Sequence, residues 1–265
     1  MATSAASVER RNFSIGTVLS RAFGTLGSNP VATFGTAFLF GALPQLLFSY
    51  FVRADLANAG AGNTLAVIVV SLGSYALSLI LSMLVQGGLV RATVAHADGQ
   101  RASIADCIGT GLSVAVPLIG LAILTTIGLM IGFALLLVPG IILFIMWSVS
   151  VPVLVTERIG IFAAFGRSRA LTKGARWKIF GLFVLMTILV WILYAVIFAL
   201  VAAGGIAAFA VEASSGTLSP TSLVVSTLAG TLVMAFWSVT QASLYVSLSD
   251  WKDGPQGASL EDIFA

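Results

Sequence analysis

Between Arg158 and Lys178 stand six of the chain's 13 lysines and arginines, with Glu157 just before them. Cations at this density clamp phosphate, assist a catalytic acid or base, or hold a protein against an anionic surface. Arg167, Ser168, Arg169 and Lys173 make the sharpest cluster. Arg offers a planar fork of donors to a lipid phosphate and Ser adds a hydroxyl. The plainer reading of the same four is anchoring at a membrane surface. Arg91 and Glu157 form a second pair, each at the end of a long uncharged stretch. At the edge of the hydrocarbon an unpaired charge is costly and a paired one is tolerated. The two therefore either bridge neighbouring hairpins beside a head-group-sized polar site or stand apart as interfacial anchors.

Catalytic chemistry has less to work with. The chain holds one cysteine, Cys107, and one histidine, His96. That excludes an intrachain disulfide and a Cys/His metal site built by this chain alone. No His-Glu metal motif, Gly-x-Ser-x-Gly elbow or acid dyad is present. No catalytic residue, metal ligand or cofactor is assigned, and the chain is read as non-enzymatic. His96 is expected in a short solvated turn beside Asp98, and Cys107 as a small core residue. Gln45, Gln86 and Gln241 are read as interhelical hydrogen-bonding groups, and Gly128 and Gly132 as a close-packing face.

These residues must be positioned by elements that composition identifies. Of 265 residues, 58% are apolar and 9% charged, with a mean hydropathy of +1.07. A soluble domain carries about 25% charged residues, so this chain has too few charges to cover a surface facing water. It reads as an all-α integral membrane protein, and its net charge of +3 says little about nucleic acid, which is not expected as a partner.

Uncharged stretches place about six spans, at 31–52, 64–90, 115–138, 141–156, 179–208 and 221–248. Polar tails of residues 1–12 and 250–265 flank one membrane domain at 13–249. Pro44 predicts a kink in the first span. The 50 residues from Cys107 to Thr156 lack charge and would make a helix of about 75 Å, far longer than a bilayer is thick. Pro139-Gly140 is the predicted turn that folds them back. The N-terminus has no apolar run behind its arginines and is expected to stay on and inside. With that end in the cytoplasm, twelve cations fall on the cytoplasmic side and Arg53 alone on the other, a strong positive-inside split. Both termini are then cytoplasmic, in a bacterial inner membrane.

Three short stretches before alternate spans repeat apolar residues at helical spacing. The first carries Ile15, Val18, Leu19, Ala22, Phe23 and Leu26. The second carries Ile104, Cys107, Ile108, Gly111, Leu112 and Ala115, opened by a Ser103–Asp106 capping box. The third carries Ile161, Ala164, Phe165 and Leu171, with Arg158, Arg169, Lys173 and Arg176 in one neighbouring sector and Arg167 pointing elsewhere. The pattern is three hairpins, each preceded by an amphipathic helix on the cytoplasmic surface.

Several runs carry a family likeness: Gln86-Gly-Gly-Leu-Val-Arg91, Asp98-Gly99-Gln-Arg101-Ala-Ser103, Leu137-Val-Pro139-Gly140-Ile, and Arg167-Ser168-x-x-Leu171-Thr172-x-Gly174-x-Arg176-Trp177. From about Phe13 to Asp250 the chain resembles the six-span membrane domain attached to some glycerophosphoryl diester phosphodiesterases. The resemblance implies a membrane scaffold or lipid-facing domain. It transfers no activity, because that family's catalytic barrel needs His and carboxylates and these residues hold a single His and no acidic cluster.

The expected role is a non-enzymatic inner-membrane protein that organises anionic lipids or partner proteins at the cytoplasmic leaflet. A membrane-protein partner and a second copy of the chain both stay open. The alternative is a small transporter or flippase-like protein for a lipid or apolar substrate. Charge is nearly absent from the spans, which argues against ion or proton coupling. An enzyme acting in the bilayer is a third class, for which no motif is found.

Overall fold

A computed structural model of the chain describes residues 13–28, 30–44, 46, 64–100, 102–203 and 220–254. All regular structure among these residues is helical, as expected where lipid leaves the backbone no water to bond. Helix α1 is Ile15–Ser28, and α2 is Pro30–Thr36, which runs into a π-helical segment, Ala37–Ala42. Then come α3, Thr64–Ala97, α4, Ile104–Ser113, α5, Ala115–Leu135, α6, Leu137–Trp147, and α7, Ser150–Glu157. Helices α8, Ile161–Thr172, α9, Arg176–Ala203, and α10, Pro220–Asp253, complete the order.

Among the described residues, Ala115–Leu135, Leu137–Glu157, Arg176–Leu200 and Val224–Asp253 are long and apolar enough to cross a membrane. Helix α3, with 34 residues, has the length to do so as well. Only the first part of the predicted span at 31–52 is described. There the helix widens into the π register just before Pro44, and the Leu43 amide bonds the Phe38 carbonyl. Proline has no amide for the carbonyl four residues back, so the ladder loosens where the sequence predicted a kink.

The turn between the third and fourth spans lies elsewhere than predicted. Leu136 takes extended dihedrals, φ −166° and ψ 154°, and α6 already begins at Leu137. Pro139 and Gly140 sit in the first helical turn, where proline loses no hydrogen bond because that amide has no acceptor. Gly140 serves packing: a Cβ there would strike the Phe133 ring. Gly128 and Gly132 act as the sequence predicted. A Cβ on the first would enter the Trp147 ring, and one on the second would come 2.8 Å from Leu143.

The predicted fourth span is two helices rather than one. Trp147 ends α6, Ser148 and Val149 form a turn, and Ser150 opens α7. Pro152 has no amide for the Ser148 carbonyl. The Ser148 and Ser150 hydroxyls donate to the carbonyls of Ile145 and Trp147, each at 2.8 Å, competing with the helix ladder.

Helices α3 and α10 form the centre. Helix α3 packs against α4, α5, α7, α10 and the π segment, and α10 also meets α1. The core gathers near one end: Leu89, Leu118, Leu154, Leu171, Ile179 and Tyr245 are all buried. Towards the other end, Leu65, Ile68, Met130, Leu136, Leu200 and Val224 turn outward, as suits surfaces covered by lipid tails. The chain is an all-α membrane protein.

Candidate functional site

The core-rich end is also the charged end. On its way to that end α3 does not stop at Arg91 but continues as helix to Ala97. His96 therefore lies in the last helical turn rather than in the predicted solvated loop. It is half-buried, with Nδ1 3.0 Å from the Ser28 hydroxyl of α1. Arg21 of α1 reaches across to α10 and donates to Asp250 at 3.1 Å and to Ser247 at 3.3 Å. Lys178 at the start of α9 donates to the Phe13 carbonyl at 2.9 Å. The amphipathic helices are thus tied to the spans by polar contacts as well as by apolar faces.

The Glu157 cation is not Arg91. Arg167 of α8 donates from Nε to Glu157 Oε1 at 3.0 Å, and the buried Tyr245 hydroxyl donates to the same oxygen at 3.2 Å. Arg167 turns its two remaining nitrogens to Asp253 at the end of α10, which also accepts from Ser249 at 3.3 Å. The Asp253 and Glu157 carboxylates together hold the Arg167 guanidinium even more firmly charged than usual. One arginine between two acids therefore locks α7, α8 and α10 together.

The structure does not bring Arg167, Ser168, Arg169 and Lys173 to one point. Arg167 is engaged by the two acids. Ser168 is fully buried and donates to the Met146 carbonyl at 2.8 Å, one of the last-turn carbonyls of α6 that its own helix leaves without a partner. Arg169 and Lys173 stand exposed. A phosphate clasp made of all four does not form.

Arg91 belongs to a different constellation. It lines a cavity of about 550 Å³ framed by α3, α4 and the end of α7. Arg158, Thr156, Thr110, Ser113 and Asp106 share its wall. Three local features shape it. Gly88 and Gly111 let α3 and α4 approach, since a Cβ would meet the Cys107 carbonyl at 2.9 Å and the Leu84 carbonyl at 2.7 Å respectively. Asp106 is occupied in the predicted capping box, accepting from the Ser103 amide at 3.0 Å and the Ser103 hydroxyl at 2.8 Å. Those Ser103 bonds, with a smaller pull from Arg91, hold its carboxyl below the usual range. Arg158 takes a left-handed φ of 49°, a conformation costing a non-glycine residue roughly 1–2 kcal/mol. This ends α7 at a residue that borders the cavity.

The Thr156 hydroxyl oxygen is buried without a hydrogen-bond partner and is closed off from the open space of the cavity. Two arginines and only one carboxylate, itself already capped, favour an anion. Of the two readings the sequence left open for Arg91 and Glu157, the structure has the one in which they stand apart, while Arg158 at the cavity and Tyr245 beside Glu157 were not singled out as site residues. The Glu157-Arg158 step before Gly160 was the available signal, because a charged residue in a tight helix-ending turn is presented outward.

Deeper on the same helices lies a second cavity of about 150 Å³, walled by Gln86, Thr125, Thr126, Ser148, Ser150 and Gln241 together with apolar residues. Gln86 and Gln241 both border this space, whose lining is mostly apolar. Gln45 lies outside the described residues. Among the described residues no group of three or more His, Cys, Asp or Glu is placed to hold a metal.

Parts of the chain are similar to UPF0259 membrane proteins. One from Pectobacterium carotovorum is 34% identical over 102 residues, which is 38% of this chain and 40% of the relative. One from Yersinia pestis is 32% identical over 94 residues, which is 36% of this chain and 37% of the relative. The match thus spans about two fifths of each relative's length. No family model matches the chain, and no solved structure matches it. The relatives' names state a membrane protein and no phosphodiesterase. These comparisons support the coarser part of the resemblance, a likeness to a family of membrane proteins, and do not bear on the phosphodiesterase-linked domain.

Proposed function

We propose that this protein is a non-enzymatic inner-membrane module that organises anionic lipids at the cytoplasmic leaflet, holding the lipid phosphate in the cavity between Arg91 and Arg158. One observation carries the reading: Arg91 and Arg158, from separate helices, border one cavity whose single carboxylate, Asp106, is already occupied by Ser103. A phosphate accepts from two guanidinium forks at the same time, so it suits a cavity bordered by two arginines. The cavity lies at the charged end, where anionic headgroups attract Lys and Arg by about 1 kcal/mol each. Exposed Arg169, Lys173 and Trp177 on neighbouring helices suit the same interface, since tryptophan favours headgroup depth.

The test is native mass spectrometry of the protein released from vesicles of mixed phosphatidylglycerol and phosphatidylcholine. The wild type retains phosphatidylglycerol preferentially. Arg91→Gln with Arg158→Gln removes most of that preference, while Arg169→Gln with Lys173→Gln changes it little. Equal retention of both lipids by the wild type, or a preference that survives loss of Arg91 and Arg158, defeats the reading.

A further inference from the structure

The deeper cavity has no charged side chain, and its mostly apolar lining carries a few hydrogen-bonding groups. Gln86 and Gln241 bring amides with two N–H donors each, and Thr125 and Thr126 bring hydroxyls. The hydroxyl protons of Ser148 and Ser150 are already given to backbone carbonyls, so these oxygens remain as acceptors. At about 150 Å³ the space suits a group the size of roughly five water molecules. A full charge has no counterion among these side chains. The chemistry fits a small neutral group with several oxygens that accept hydrogen bonds.

Register supplies the rest. The outer cavity touches α3 at Val90, Arg91 and Val94, and the inner one touches it at Met83 and Gln86. Residues 83, 86, 90 and 94 are spaced by three or four, which is one face of a helix. Helix α7 repeats the arrangement, with Ser150 and Val151 at the inner cavity and Val155 and Thr156 at the outer. On both helices the interval is four or five residues, about 6–7 Å along the axis. The two cavities are therefore stacked on one seam, the anionic site towards the charged end and the neutral site one turn deeper. In a diacyl phospholipid the ester carbonyls hang a few bonds below the phosphate, on the hydrocarbon side.

We propose that the inner cavity is a binding site for the ester-bearing glycerol segment of a diacyl phospholipid whose phosphate occupies the Arg91–Arg158 cavity. The inference rests on the headgroup reading above and names the lipid class that fills both levels. The break between α6 and α7 then has a use, since it turns Ser148 and Ser150 towards the deeper level.

The test compares ester-linked phosphatidylglycerol with its ether-linked analogue, which keeps the headgroup and chains but lacks the carbonyls. Retention is measured by native mass spectrometry in competition. The wild type is expected to favour the ester lipid by about twofold to tenfold for each hydrogen bond made. Gln86→Leu and Gln241→Leu lose that preference while still favouring phosphatidylglycerol over phosphatidylcholine. Arg91→Gln with Arg158→Gln shows the opposite pattern. A wild type that does not distinguish ester from ether overturns the proposal without any variant needing to fold. An ester preference unchanged in the two Gln variants, melting as the wild type does, also overturns it. An ester preference that persists when the two Arg changes leave anionic selectivity untouched defeats the headgroup reading instead and leaves the inner site standing.

Discussion

Arg167 stands between Glu157 and Asp253, bonding the first at 3.0 Å and chelating the second with two nitrogens. One cation thereby satisfies two carboxylates from different helices. Arg167→Gln leaves those acids facing each other without a counterion, which costs more than a surface pair is ordinarily worth. The expected loss is about 1–3 kcal/mol, read as a lower melting temperature in detergent. Glu157→Gln with Asp253→Asn in the Arg167→Gln background recovers part of it. A triple variant no more stable than Arg167→Gln alone contradicts the arrangement.

The seam between α3 and α4 depends on missing side chains. Gly111→Ala places a methyl group 2.7 Å from the Leu84 carbonyl, with backbone on both sides and no flexible side chain to yield. Forced overpacking of this kind costs about 1–3 kcal/mol. Gly109→Ala, on the same helix with open space around its Cβ position, is expected to be neutral or stabilising because alanine favours helix. Parallel melting curves of the two variants check the contrast.

Cys107 reports whether that seam is closed. Its thiol is buried, and burial, followed by the nearby Asp106 charge, pushes its pKa up. A raised thiol pKa means less thiolate than in a free cysteine at every pH through neutrality. Maleimide labelling of the folded protein is therefore expected to be much slower than that of free cysteine at pH 7, and to stay slower as pH rises towards the ordinary thiol range. Unfolding in denaturant restores labelling. Rapid modification of the folded protein contradicts the packing.

Arg158 separates stability from binding. Its left-handed φ of 49° is one that glycine adopts without penalty. Arg158→Gly is expected to hold or raise the melting temperature while lowering phosphatidylglycerol retention. A structural role alone moves both quantities in the same direction.

Much of this fold is legible in the sequence. The long uncharged runs give the spans, the Ser103–Asp106 spacing gives the helix start, and Gly128 with Gly132 gives a packed hairpin. What stays hidden depends on angles. Proline fits a first helical turn as well as a bend, so Pro139 alone does not reveal that Leu136 is the turning residue. The break at Ser148 left one trace, Pro152, four residues on. The partner of Glu157 is ten residues away, across a turn in which Arg158 is left-handed, a conformation no spacing rule supplies for arginine. The cavity residues Arg91, Thr156 and Arg158 come from two separated helices, and their meeting is a matter of packing rather than pattern. Gln86 and Gln241 announce polarity at membrane depth without announcing whether they face each other or a space.

The lipid site at the charged end is tested most directly by cryo-electron microscopy of the protein in nanodiscs of phosphatidylglycerol. The expected result is phosphate-sized density between Arg91 and Arg158. Lipid phosphate ordered only against Arg169 and Lys173, with the Arg91–Arg158 cavity filled by protein side chains, contradicts the account.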